Sequence, residues 1–194
     1  MKVLVTHASA HGSTHGIAGR IGRRLATEGH AVTVSSVADV ASAGGYDVVV
    51  VASAVHDTRW LPGAVEFVRN NASTLRQQSV WLLSVGSIGD VGSCFGPRLT
   101  SILRRRMRDA AELGEVRELV RPRGHLRAAG AIEPWHRGRF RRAFLRGIGG
   151  TFGDHRDWAG IDAWTDSIVR ELRPMCCESG HDRDHDRGLV AAGR

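Results

Sequence analysis

Met1-Lys2-Val3-Leu4-Val5-Thr6-His7-Ala8-Ser9-Ala10-His11-Gly12-Ser13-Thr14-His15-Gly16-Ile17-Ala18 is the stretch that decides the fold. Lys2 to Val5 is short, β-branched and apolar, and turn chemistry stands close behind it, which predicts a buried strand. Ser9 to Ser13 is a loop of small residues. From Thr14 the period changes: Ile17, Ile21 and Leu25, with Ala18, fall on one helical face, and Gly29 supplies a stop. A buried strand, a tight small-residue loop and an amphipathic helix make the opening half of a β-α-β unit.

The rest of the chain repeats the alternation. Ala31 to Ser35 predicts a second strand, and Val37 to Val40 a short helical turn. Asp47 to Ala52 carries Val48-Val49-Val50-Val51, the continuous apolar run of a central parallel strand covered on both faces. Pro62 opens a helix at the first-turn position that suits proline, with Val65, Phe67 and Val68 on its apolar side. Ser79 to Val85 predicts a fourth strand, followed by a Gly-rich loop from Gly86 to Gly92. Pro97 to about Val120 is helical in character and Arg-rich, with a break near Gly114. His125 to Ile132 predicts the fifth strand, Trp135 to Ile148 an extra basic amphipathic helix ended by Gly149-Gly150, and Asp157 to Leu172 a final helix. Met175 to Arg194 has no periodicity and is expected to be a mobile tail. The expectation is an α/β fold, with a five-stranded parallel sheet in the order 2-1-3-4-5 and helices on both faces. It forms one domain over residues 1–174, and ligands bind beyond the carboxyl ends of the strands.

Composition agrees with a folded, single-domain chain. There are 194 residues, 42% hydrophobic and 24% charged, enough for a sizeable core. Three cysteines (Cys94, Cys176, Cys177) exclude a disulfide scaffold. The formal charge of +7 and pI near 10.7 invite a nucleic-acid reading. However, Lys2 is the only lysine, so the excess is an arginine bias of the kind GC-rich coding produces, and no nucleic-acid motif is present. No apolar run is long enough for a signal-peptide core or a membrane span, so the expectation is a cytoplasmic protein with reduced cysteines.

Three loops at one sheet edge carry the chemistry. After the first strand, Ser9-Ala10-His11-Gly12-Ser13-Thr14 brings backbone amides and the hydroxyls of Ser9, Ser13 and Thr14 to a helix N-terminus, an anion site. It is neither a Gly-x-Gly-x-x-Gly loop nor a Walker loop, and its size suits a terminal monophosphate. After the third strand comes Ser53-Ala54-Val55-His56-Asp57-Thr58-Arg59-Trp60. After the fourth comes Ser84-Val85-Gly86-Ser87-Ile88-Gly89-Asp90.

Ser9-x-x-Gly12-x-Thr14-x-x-Ile17-Ala18 resembles the phosphate loop of flavodoxins, which bind FMN. The resemblance implies that the phosphate is held by Ser9 to Thr14. It places Ser53, Ala54, Val55, His56 and Trp60 beside the isoalloxazine ring, with Trp60 stacking on it. It places Ser84, Val85, Gly86, Ser87, Gly89 and Asp90 at the pyrimidine edge. Gly130-Ala131-Ile132, the basic helix, Gly149-Gly150 and Gly153-Asp154-His155-Arg156-Asp157-Trp158 follow in an order similar to the flavodoxin-domain family that includes menaquinone-dependent protoporphyrinogen oxidase and actinobacterial flavodoxin-domain proteins. The resemblance covers about Met1 to Pro174. It implies an FMN-dependent oxidoreductase or electron carrier, with a small-molecule, quinone or porphyrinogen partner. His56 stands where relatives often carry Tyr, and Thr58 where they often carry Gly. These two residues favour an alternative from another class, a flavodoxin-fold binding or regulatory domain that has lost flavin. No catalytic acid or base is evident.

Arg137, Arg139, Arg141, Arg142 and Arg146 interleave with Phe140 and Phe144, which suits either an ordinary solvated helix or peripheral contact with the inner face of an anionic membrane. Cys176, Cys177, His181 and His185 match no zinc spacing, so no metal site is expected. Asp157 is suited to cap the last helix and Trp158 to anchor it.

Overall fold

A computed structural model of the protein describes residues 1–132, 146–147 and 149–178, with side chains as far as residue 173. The elements run β1 (Lys2–Ala8), α1 (Ser13–Thr27), β2 (Ala31–Ser36), β3 (Val48–His56), β4 (Arg59–Trp60), α2 (Pro62–Asn70), α3 (Ala72–Leu75), β5 (Ser79–Gly86), α4 (Pro97–Arg106), α5 (Leu113–Val120), β6 (Gly124–Ala129), β7 (Ala131–Ile132), β8 (Gly153–Asp154) and α6 (Trp158–Glu178).

The long strands form a parallel sheet in the order β2-β1-β3-β5-β6, with β4 antiparallel on β3; β7 and β8 pair separately. In register, Val3 lies beside Val32 and Val48, and Val48 beside Ser79. This is the expected doubly wound order, and the pleat explains it. Val3, Val5, Val48 and Val50 point to one face and pack against Ile17, Ile21 and Leu25 of α1 and Ile161, Ile168 and Leu172 of α6. Leu4, Val49, Val51 and Leu82 point to the other and pack on α2 and α5. Strands buried on both faces lack apolar–polar alternation, which is why β3 reads as a plain valine run. Arg20 and Asp162 make a bidentate pair at 2.7 and 2.6 Å that ties α1 to α6 at the surface.

Several boundaries move. β3 runs four residues past Ala52 to His56 because β4 folds back on it and extends its pairing. The Arg-rich helix breaks at 107–112, ahead of Gly114, which lies inside α5. The fifth strand is interrupted at Gly130, dividing β6 from β7. Asp157 caps α6 as expected, its Oδ1 accepting from Gly160 N at 3.0 Å. Trp158 lies beneath the guanidinium groups of Arg20 and Arg156, 5.1 and 4.5 Å from its ring centroid. The last helix continues to Glu178, beyond Leu172 and into the segment expected as a tail. The basic helix expected at 135–148 and the remainder of that segment lie outside the described residues, apart from Arg146 and Gly147.

Candidate functional site

β1, β3 and β5 end side by side at Ala8, His56 and Gly86, and the loops that leave them face the same way. The chain turns from β1 into α1 through Gly12, whose φ of +81° places it in the left-handed region. No side chain lies within 4 Å of where a Cβ would stand, so the backbone angle, not space, requires glycine here. No side chain caps α1. Its first amides, with the positive end of the helix dipole, therefore face the loop. Ser9 Oγ is buried and has no hydrogen-bond partner among the described residues.

These groups open onto a cleft of about 540 Å³ that includes open solvent. Its floor is Ser9, Ala10, His11, Ser13 and Thr14, and its sides are Ala54, Val55 and His56 on one hand and Val85, Gly86 and Ser87 on the other. The rings of His11 and His56 meet edge to face across it, centroids 5.6 Å apart. The far wall is Gly130, Ala131 and Ile132, which the sequence reading did not assign to the site. Gly130 N donates to Gly86 O at 2.9 Å and Ala131 N to Ser13 Oγ at 2.8 Å, so the chain leaving β6 crosses to the start of α1. A Cβ on Gly130 would stand 2.5 Å from Ser13 Oγ, and this close approach is what requires glycine. A glycine directly after the last parallel strand was the available signal.

The model of the flavodoxin domain family matches residues 4–108. The chain belongs to that family. The flavodoxin domain is similar in fold to flavodoxin 1 of Bacillus cereus (13% identity, TM-score 0.54, 89% of this chain and 99% of that one). It is also similar to the Streptococcus pneumoniae TIGR4 flavodoxin (13% identity, TM-score 0.55, 90% and 99%). Rubredoxin oxygen:oxidoreductase of Desulfovibrio gigas aligns at 12% identity and TM-score 0.57 over 90% of this chain, which spans 37% of that longer protein. Among curated proteins, none matches this chain in sequence.

Other expected site residues of the flavodoxin domain lie elsewhere. Trp60 does not line the cleft: it is 2% exposed and packed in the core beneath β3. The cause is the β3–β4 hairpin, closed by the two residues Asp57 and Thr58, both with positive φ (48° and 62°), which returns the chain with its indole inward. The aromatic rings at the cleft are those of His11 and His56. Ser53 is structural, with Oγ donating to Ala54 O and accepting from Leu61 N. Gly89 and Asp90 turn to β6: Asp90 N donates to Arg127 O at 2.7 Å, and the Asp90 carboxylate pairs with the Arg127 guanidinium at 2.6 Å. The hydrogen bonds from Arg127 hold that carboxyl below its usual range, against the opposing effect of burial.

A second open cleft, about 930 Å³, adjoins the first along Val55, His56, Gly86 and Ser87. Ser84 lies in its wall, and Met107 to Ala110 form its outer side. Sequence reading missed this side because nothing local announces that the α4–α5 connection reaches the hairpin. It does so through Ala111 N, which donates to Thr58 O at 3.0 Å, and through Glu112. Glu112 accepts from Trp60 N at 3.0 Å and pairs with Arg59 at 2.7 Å. Behind Ser84 runs a chain of polar contacts. Trp60 Nε1 donates to Ser84 Oγ at 2.7 Å, and His125 Nε2 lies 2.9 Å from the same oxygen. Arg117 Nη2 meets His125 Nδ1 at 3.0 Å, while its Nη1 donates to Asp109 at 2.6 Å. Burial, followed by the charge of Arg117, pushes the His125 pKa down to about 4.

Near the first cleft, His15 Nδ1 and His7 Nε2 are 3.0 Å apart, and burial with the neighbouring imidazole pushes His7 below its ordinary value. Cys94 is 1% exposed and fills space beside Ile132. Among the described residues, no group of three or more His, Cys, Asp or Glu is placed to hold a metal, and no helix is long and apolar enough to cross a membrane.

Proposed function

We propose that this flavodoxin domain binds FMN and serves as an oxidoreductase or electron carrier. The observation that carries the reading is the uncapped N-terminus of α1 joined to the buried, unpartnered Ser9 hydroxyl. A buried hydroxyl without a partner is costly, and a phosphate oxygen is the acceptor that such a loop is made to meet. Ser9 Oγ and the amides of Ala10 to Thr14 would hold the phosphate. Val55 and His56 would flank the ring, and Gly86 and Ser87 would offer backbone groups to its polar edge. The flavin supplies the one- and two-electron chemistry, while this chain binds, orients and shields it. The flavodoxins and the oxidoreductase that share the fold support a redox role. A porphyrinogen or quinone at the exposed edge is the finer form of the proposal.

The alternative, a domain that has lost flavin, is favoured by the His11–His56 contact across the first cleft and by the inward turn of Trp60. Titration with FMN, followed by quenching of flavin fluorescence and by the visible spectrum, separates the two. Saturable binding of FMN with weaker binding of FAD supports the proposal. A colourless protein that binds no added FMN overturns it.

A further inference from the structure

Ser84 Oγ has two neighbours, and the identity of the second fixes its proton. Trp60 Nε1–H donates to it. His125 Nε2 lies 2.9 Å away, and the opposite nitrogen of the same ring, Nδ1, faces Arg117 Nη2 at 3.0 Å. A guanidinium has donors only and does not deprotonate in proteins. Nδ1 must therefore accept, and the neutral ring carries its proton on Nε2. That proton points at Ser84 Oγ, which then accepts twice. A hydroxyl with both acceptor positions filled still has one proton to place, and no described residue takes it. Ser84 is 6% exposed and lines the second cleft. The arrangement is the reverse of an activated serine, in which the imidazole must accept the hydroxyl proton.

The other groups on that cleft describe a partner. Beyond the residues shared with the first cleft, Ile88, Met107 and Ala110 give it an apolar lining. Arg127 is neutralised by Asp90 and Asp109. Arg108 is exposed on the same wall and forms no ion pair among the described residues.

We infer that the second cleft binds a small organic anion that also bears a carbonyl oxygen: the carbonyl takes the Ser84 proton, the apolar body lies on the lining, and the anionic group pairs with Arg108. The site lies apart from the loop at Ser9 to Thr14 and borders Val55, His56, Gly86 and Ser87, the residues proposed to flank the flavin ring, so it goes beyond that role only if both ligands are bound together.

The probe is 4-benzoylbenzoate, compared with 4-benzylbenzoate, which lacks only the ketone oxygen. Binding to the full chain is measured by calorimetry, with and without saturating FMN. The ketone is expected to bind about two- to tenfold more tightly than its methylene analogue, the range of one neutral hydrogen bond. Arg108→Ala should weaken both by about two- to fivefold, as for an exposed ion pair. Ser84→Ala should erase the ketone preference. Because that variant also disturbs Trp60, Arg117→Met provides a second path. It frees Nδ1, lets the His125 proton move there and turns the Ser84 proton inward, so the preference falls although Ser84 remains. Nitrogen-15 shifts of His125 report the tautomer directly. Equal binding of the two probes, a wild-type His125 protonated on Nδ1, or displacement of the probe by FMN overturns the inference. Failure to bind FMN leaves the probe result intact and counts only against the flavin reading.

Discussion

Acidification from pH 7 to pH 5 should destabilise this protein, and one half-buried histidine, His125, should account for a separable part of the loss. His125 is neutral in the fold, with its pKa lowered from 6.5 to about 4 by burial and by the Arg117 cation. In the unfolded chain the ring titrates near 6.5. Between these values the unfolded state binds a proton that the folded state refuses. Stability is therefore fully present above 6.5 and is lost as the pH falls toward 4. Without screening, this linkage amounts to about 1.8 kcal/mol between pH 7 and pH 5; part of the ring is open to solvent, and about 1 kcal/mol is the working figure. The assay is urea unfolding at both pH values for the wild type and His125→Gln. The glutamine amide can donate to Ser84 and accept from Arg117 without titrating. Other histidines with lowered values, His7 and His30, contribute equally to both proteins and cancel in the difference. Carboxylates held low by arginines, such as Asp162 and Asp154, titrate well below this window. The wild type should lose about 1 kcal/mol more than the variant over that range, about 2–4 °C in Tm. Equal losses would refute the reasoning, and so would an NMR titration of His125 with a midpoint near 6.5.

Thr58→Gly should raise stability by about 0.5–1 kcal/mol, because a β-branched residue at φ 62° costs more than the extra chain entropy of glycine. An unchanged or lower urea midpoint would count against the strained hairpin. Ser9→Ala should leave thermal stability unchanged or slightly raised, since its hydroxyl has no partner in the fold, yet weaken FMN binding about tenfold; Thr14→Ala should weaken it similarly. FMN affinity unchanged from the wild type in both variants would move the phosphate elsewhere. If the arginines from 137 to 146 contact membranes, sedimentation with anionic vesicles should be salt-sensitive and should fall for Arg139→Glu/Arg142→Glu. Equal sedimentation with neutral vesicles would remove that role.

The sheet order and the small-residue turn from β1 into α1 were legible from the sequence because both rest on local chemistry. The valine run of β3, the Ile17–Ile21–Leu25 stripe of α1 and the small residues from Ser9 to Ser13 each announce their surroundings within a few positions of the chain. The family match over residues 4–108 falls on that same legible half. Contacts between distant segments were not legible. Trp60 reads as a loop aromatic set to stack on a ring, and only the hairpin through Asp57 and Thr58, tied down by Ala111 and Glu112 some fifty residues later, turns it into the core. Gly130 looks like punctuation until Ser13 stands against it. Ser84 and His125 lie 41 residues apart, and what matters about them, which atom holds the proton, depends on Arg117 arriving from α5. Periodicity and turn chemistry act over one or two turns of chain, so they determine elements and their order. The direction of a hydroxyl proton is set by donors that only the packed sheet brings within 3 Å, and the tertiary structure alone decided it.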